Sequence, residues 1–161
     1  MTLTRAHLIL FASFSSAALL GGAFLFQFAG YAPCAMCYWQ RWPHGIVAVL
    51  GLAALAVRNP LLCWAGAVGM GVSAGLGAYH SGVERHWWPG PSSCTGGGDL
   101  SGSATDLLDS ILSTPVVMCD EIPWRLSDWI PLQILDLTMA NFNAVFSLVL
   151  VGVWVAAARM K

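Results

Sequence analysis

Four stretches of this chain are too long and too apolar for the faces of a soluble protein. The first, Leu8 to Phe28, has no charged residue, and about 20 helical residues are what ~30 Å of hydrocarbon requires. It exceeds the roughly 7–15-residue apolar core of a cleavable signal peptide, so it is expected to stay as a helix. A second run extends from Cys34 or Pro43 to Val57. Arg58-Asn59-Pro60 then makes a tight turn into a third, Leu61 to Tyr79, and these two are expected to pair as a helical hairpin. The last begins between Leu135 and Asn143 and ends at Arg159. The pattern predicts an all-α membrane protein, a four-transmembrane-helix bundle forming one domain over residues 1–161. Its spans lie near 8–28, 38–57, 61–79 and 138–158, with outer loops near 29–37 and 80–137.

Composition supports that reading and removes others. With 57% hydrophobic residues, 9% charged and a mean hydropathy of +0.69, the chain does not describe a soluble domain. A net charge of -1 without a lysine or arginine run gives no footing for nucleic acid, whose binding rests on neutralising phosphates. Charge also orients the bundle. Arg5, Arg58, Arg159 and Lys161 flank the spans in short segments without acids, whereas all eight acidic residues fall between Glu84 and Asp136. The positive-inside rule then puts both termini in the cytoplasm.

Cys34, Cys37, Cys94 and Cys119 consequently face a compartment that permits disulfides. Cys63, among apolar neighbours in the third span, reads as a small core residue. A lipoprotein cleavage before Cys34 is disfavoured because Pro33 precedes it. Ala67, Gly71 and Gly75, four residues apart, read as a face on which another helix packs closely.

The long loop divides by composition. "PGPSSCTGGGDLSGS" at 89–103 has the glycine and serine content of a flexible tether, and Cys94 rides on it. Thr105 is placed to cap a short helix with Leu107, Leu108, Ile111 and Leu112 on one face, stopped by Pro115. "IPWRLSDWIPLQIL" mixes Trp124, Trp129 and aliphatics with charge, as a segment lying on a membrane surface would. Trp87 and Trp88 suit the same interface.

The chemistry concentrates in "CAMCYWQRWPH", residues 34–44. With Pro33 as the first helical residue, Cys34 falls in the first turn, where unpaired N–H groups and the positive dipole end favour a thiolate. At 100° per residue, Cys37 and Arg41 share its face, and His44 lies close to the direction of Cys37. Pro43 would remove one hydrogen bond from such a helix and is an alternative start for the span. An arginine at a lipid boundary is costly enough to be a functional candidate. Arg41 could stabilise a thiolate and hydrogen-bond the carbonyl of a lipid-soluble acceptor, while His44 is a candidate ligand or a structural hydrogen-bonding group. Cys-x-x-Cys alone serves zinc sites, structural disulfides and redox centres. Cys94 and Cys119, with 24 residues between them (95–118), could form a second disulfide that a mobile loop brings to Cys34. A zinc site would need the far pair held rigidly, which its Gly-Gly-Gly context opposes, so no metal is expected. Two structural disulfides remain open.

The chain resembles the DsbB-type (disulfide bond formation protein B) thiol:quinone oxidoreductases. The resemblance rests on "PCAMCYWQR" at 33–41, "YHSGVE" at 79–84 with "WPGPSSC" at 88–94, and "CDEIPW" at 119–124. It implies a bacterial inner-membrane protein that reoxidises a periplasmic DsbA-like thiol oxidase. Electrons would enter at the Cys94–Cys119 disulfide, pass to Cys34–Cys37, and leave on ubiquinone or menaquinone held near Arg41, with His44 and His80 as further candidates to border it. Relays of this kind, from thiol oxidase to quinone, keep a bacterial periplasm oxidising, a general property of that compartment. "RLSDWIPLQI" at 125–134 is longer than the family's usual connection. A vitamin K epoxide reductase-like enzyme would order its cysteine pairs the other way, and a non-catalytic protein with two structural disulfides would leave Arg41 without a role.

Overall fold

The computed structural model describes residues 4–92, 94, 105, 117–130 and 136–160. Four long helices account for most of them. Helix α1 (Arg5–Phe28) starts at Thr4, whose hydroxyl accepts from the His7 amide while His7 Nδ1 accepts from the Thr4 amide at 3.2 Å. Helix α2 (Ala35–Val57) and helix α3 (Pro60–Glu84) are separated by two residues only. Arg58 takes the left-handed conformation (φ 55°) that ends a helix, Asn59 caps the next, and Pro60 opens it. The hairpin read from Arg58-Asn59-Pro60 is therefore present. Helix α4 (Met139–Arg159) begins at a Thr138 cap that Asn141 completes.

Helix α2 runs unbroken through Pro43, so Pro43 is not its start. Nor does the helix begin at Pro33. Its first residue is Ala35, and Cys34 is the cap, its sulfur accepting from the Cys37 amide at 3.3 Å. Helices α1, α3 and α4 are long and apolar enough to cross a membrane. In α2, Gln40, Arg41 and His44 interrupt the apolar pattern in the first half of the helix.

The bundle closes on Trp154, which is fully buried. A Cβ on Gly66 would meet its ring at 2.6 Å, and one on Gly69 would meet Val47 at the same distance. At the other end of α3 a Cβ on Gly77 would lie 2.9 Å from the backbone of Ala144. Of the expected stripe Ala67-Gly71-Gly75, Ala67 is buried in the core, but nothing lies within 4 Å of a Cβ at Gly71 or Gly75. The buried face of α3 is instead Gly66, Met70, Ser73, Gly77, His80 and Glu84, spaced three or four residues apart.

Arg5 reaches the opposite hairpin turn, donating to the Arg58 carbonyl at 3.5 Å and to Cys63 at 3.4 Å. Cys63 is buried in that apolar end, as expected of a core residue. At the other end of the bundle, Trp124 lies against Phe26 of α1 and Phe142 of α4, with ring centroids 5.6 and 6.1 Å away. A single 3₁₀ turn (Leu126–Asp128) follows. The connection is pinned at its base, where Arg125 pairs with Asp136 at 2.8 Å and the Leu126 amide donates to the Leu137 carbonyl at 2.9 Å. Trp129 and Ile130 are exposed. Most of the segment 89–103, expected to be a tether, and the helix expected from Thr105 to Pro115 lie outside the described residues.

Candidate functional site

Both cysteine pairs meet at one end of the bundle, away from the Arg58 turn. Cys94 and Cys119 are joined in a disulfide with Cα atoms 5.3 Å apart, and the Cys119 amide donates to the Cys94 carbonyl at 2.9 Å. Their cluster includes Cys34, Met36 and Val83, with Cys37 against its edge. Cys34 and Cys37 are thiols whose sulfurs lie 3.0 Å apart. The structure thus holds an oxidised loop pair on a reduced helix pair.

Helix geometry dictates the inner pair's proton. The thiols are three positions apart, which places them on one face. Cys34 donates its proton to Cys37, and that hydrogen bond, followed by burial, pushes the Cys34 thiol up from its ordinary value. Cys37, ahead of the expected start of the span at residue 38, is pushed down first by the same hydrogen bond. The acidic thiol is therefore Cys37, not Cys34 as the helix-start argument led one to expect. A cap sulfur that gives its proton to its neighbour gains less from the helix dipole than the neighbour gains from that proton.

His80 stands between the pairs. Its Nε2 is 3.5 Å from the Cys34 sulfur and 3.2 Å from the Cys119 carbonyl oxygen. Behind it, Gln40 Nε2 lies 2.8 Å from Nδ1 and also donates to the Met36 carbonyl at 3.1 Å. Asn143 Nδ2 donates to Gln40 Oε1 at 2.8 Å. Since the Gln40 oxygen is engaged as an acceptor, its amide nitrogen donates to Nδ1, and the His80 proton sits on Nε2, facing sulfur. Cys34, Cys37 and His80 bring one ligand atom each within 4.8 Å of one another. In this tautomer, however, the imidazole presents a proton to that point rather than the lone pair a metal needs.

His44 belongs to a second buried group. Its Nε2 is 2.8 Å from Asn143 Oδ1, with the Ser73 and Ser147 hydroxyls at 3.2 and 3.3 Å. Arg41 turns the other way, donating to Gln27 Oε1 at 2.6 Å and to the Ala23 carbonyl at 3.2 Å. Its guanidinium also lies over Phe24 and Tyr38, at 5.2 and 5.1 Å from the ring centroids. An apolar cavity of about 730 Å³ runs beside these groups, and Cys34, Cys37, Arg41, His44, His80 and Glu84 line its polar side. Phe26, Trp124, Phe142 and Phe146 are among its apolar walls. All seven residues singled out from the sequence lie at this end of the bundle.

Gln27, Gln40, Glu84 and Asn143 were not singled out. Each is a polar residue on or next to an apolar run, and that cost is itself a signal. Glu84 is buried, accepting from the Thr138 hydroxyl at 2.6 Å, which ties the end of α3 to the start of α4.

A loop disulfide packed on a helix-end dithiol, in a bundle with membrane-spanning character, defines a membrane-associated thiol–disulfide protein. Residues 5–157 match the family model described as disulfide bond formation protein DsbB, and the chain belongs to that family. Neither the comparison with curated proteins nor that with solved structures returned a match.

Proposed function

We propose that this protein reoxidises a periplasmic thioredoxin-fold disulfide oxidase of the DsbA type and passes the electrons to a membrane quinone. The observation that carries the reading is the packing of the Cys94–Cys119 disulfide on the Cys34/Cys37 thiols beside an apolar cavity. In this reading all four helices span the bacterial inner membrane, with both termini cytoplasmic and the cysteines periplasmic.

The exchange steps balance in bonds and charge. A thiolate of the reduced oxidase attacks Cys94, forming a mixed disulfide and releasing Cys119 as thiolate. Cys119 attacks Cys34 in an oxidised inner pair, which forms Cys34–Cys119 and releases the Cys37 thiolate. The oxidase's second thiolate displaces Cys94, and Cys94 attacks Cys119, restoring the loop disulfide and releasing Cys34. The inner pair then holds the two electrons.

The cavity residues fit a quinone. Arg41 Nε is buried with no hydrogen-bond partner, a donor left for a carbonyl oxygen, and the walls suit an apolar ring and tail. A quinone bound there supplies a two-electron, two-proton acceptor for the dithiol. Arg41 orients its head group and favours negative charge on Cys37, while His44 and His80 border the cavity.

The test uses purified protein in detergent with a reduced periplasmic thioredoxin-fold oxidase and ubiquinone-1, following quinone absorbance. Wild-type turnover that Cys37→Ser abolishes and Arg41→Ala slows is the expected result. No turnover with ubiquinone-1 or a menaquinone analogue overturns the quinone assignment.

A further inference from the structure

The position of His80 is not explained by bordering a quinone. The nitrogen that carries its proton faces the Cys34 sulfur and the Cys119 carbonyl, and Gln40 occupies the other nitrogen. We propose that His80 is a catalytic hydrogen-bond donor for transfer between the two cysteine pairs, receiving Cys34 as it leaves Cys119, and that Gln40 is the positioning residue that keeps the donating tautomer. The inference rests on the relay reading and concerns one step within it.

That step is the attack of the Cys94 thiolate on Cys119 in the Cys34–Cys119 mixed disulfide. The Cys94–Cys119 bond forms, the Cys34–Cys119 bond breaks, and the electron pair of the broken bond stays on Cys34, which then takes up a proton of those the oxidase's two thiols released to solvent. Exchange accelerates as the leaving thiolate is stabilised. Cys34 is 5% exposed, so water cannot supply that stabilisation fully. The Nε2–H, whose nitrogen is 3.5 Å from the sulfur, does, since a hydrogen bond to a charged acceptor is stronger than one to a neutral thiol. The loop disulfide and inner dithiol of this structure are the products of the step, with His80 still bridging Cys34 and the Cys119 backbone.

Gln40 matters because a free imidazole chooses either tautomer. Its amide is itself held by the Met36 carbonyl and by Asn143, which Ser73 engages in turn: the Asn143 amide donates to the Ser73 carbonyl at 3.1 Å. Three helices therefore fix one proton: α2 supplies Gln40, α3 supplies His80 and Ser73, and α4 supplies Asn143. Besides Cys34, the charged or titratable neighbours lining the same cavity are Tyr31, Cys37, Arg41, His44, Glu84 and Glu121.

The experiment needs no quinone. Fully oxidised protein is mixed with one equivalent of a reduced thioredoxin-fold oxidase, quenched in acid, alkylated and mapped by mass spectrometry. In wild type, label moves to Cys34 and Cys37. In His80→Phe the loop disulfide opens at the wild-type rate. Label on Cys34 then appears at least tenfold more slowly, and the Cys34–Cys119 linked peptide accumulates. His80→Gln, which retains an N–H donor, recovers part of the rate, and Gln40→Leu shows a smaller loss than His80→Phe. In a Cys37→Ser background, His80→Phe also moves the pH midpoint of Cys34 alkylation upward, which a purely structural role for His80 would not do. Inner-pair labelling at the wild-type rate in both His80 variants overturns the proposal. Failure of wild type to move label past Cys94 and Cys119 overturns the relay itself.

Discussion

At the scale of single residues, the two thiols of Cys34-x-x-Cys37 divide their labour through one proton. Cys34 donates to Cys37 at 3.0 Å and is the more buried of the two. Reduced protein exposed to iodoacetamide near pH 7 is therefore expected to carry label on Cys37 before Cys34, read by peptide mass. Cys34→Ala removes the hydrogen-bond donor to the Cys37 thiolate, so the pH midpoint of Cys37 alkylation rises. One unit of that shift is a tenfold loss of thiolate well below the midpoint. Preferential labelling of Cys34 would reverse the assignment. The gathering of the four cysteines and Arg41 at one end was legible in the sequence because their types and spacing suit the proposed chemistry. The direction of the proton was not, since it depends on which sulfur caps the helix and which lies one turn in. Gln40 escaped notice for a related reason. Its role is defined by His80 and Asn143, 40 and 103 residues away in sequence.

At the scale of helices, the limits of all four were legible to within a few residues, because charge, proline and capping residues end apolar runs abruptly. Helix α3 is the informative exception: it continues from Tyr79 to Glu84. Residues 80–84 are polar enough to read as loop, yet His80, Ser81 and Glu84 are buried by partners on α2, α4 and the loop. The small-residue reading failed differently. Spacing of four identifies a stripe but not which stripe faces a neighbour, and α3 has glycines on more than one side. Gly66→Ala drives a methyl group into the Trp154 ring and is expected to destabilise the bundle by about 1–3 kcal/mol, the usual range for overpacking. Gly71→Ala faces open space and gains helix propensity, so its melting temperature in detergent should match or exceed wild type. Equal loss in both variants would mean that α3 is rotated from the arrangement described.

At the scale of the whole molecule, the bundle separates its chemistry from its basic end. Cys63 and His80 are 17 residues apart on one helix, or about 25 Å at 1.5 Å per residue. The fifth cysteine therefore lies beyond the reach of any exchange at the redox end. Arg5 and Arg58 meet at the Cys63 end, while Glu84 and Asp136 belong to the other. Such polarity is what the positive-inside rule uses, and it ties orientation to chemistry, because a disulfide relay works only in an oxidising compartment. Introduced cysteines make the consequence measurable. Trp129→Cys replaces an exposed residue at the redox end, and Met160→Cys sits just past Arg159. In spheroplasts, a membrane-impermeant maleimide is expected to label the Trp129→Cys peptide at once and the Met160→Cys peptide only after lysis. The opposite pattern would put Cys94 and Cys119 among cytoplasmic reductants, where their disulfide would not persist and the proposed electron path would have no donor.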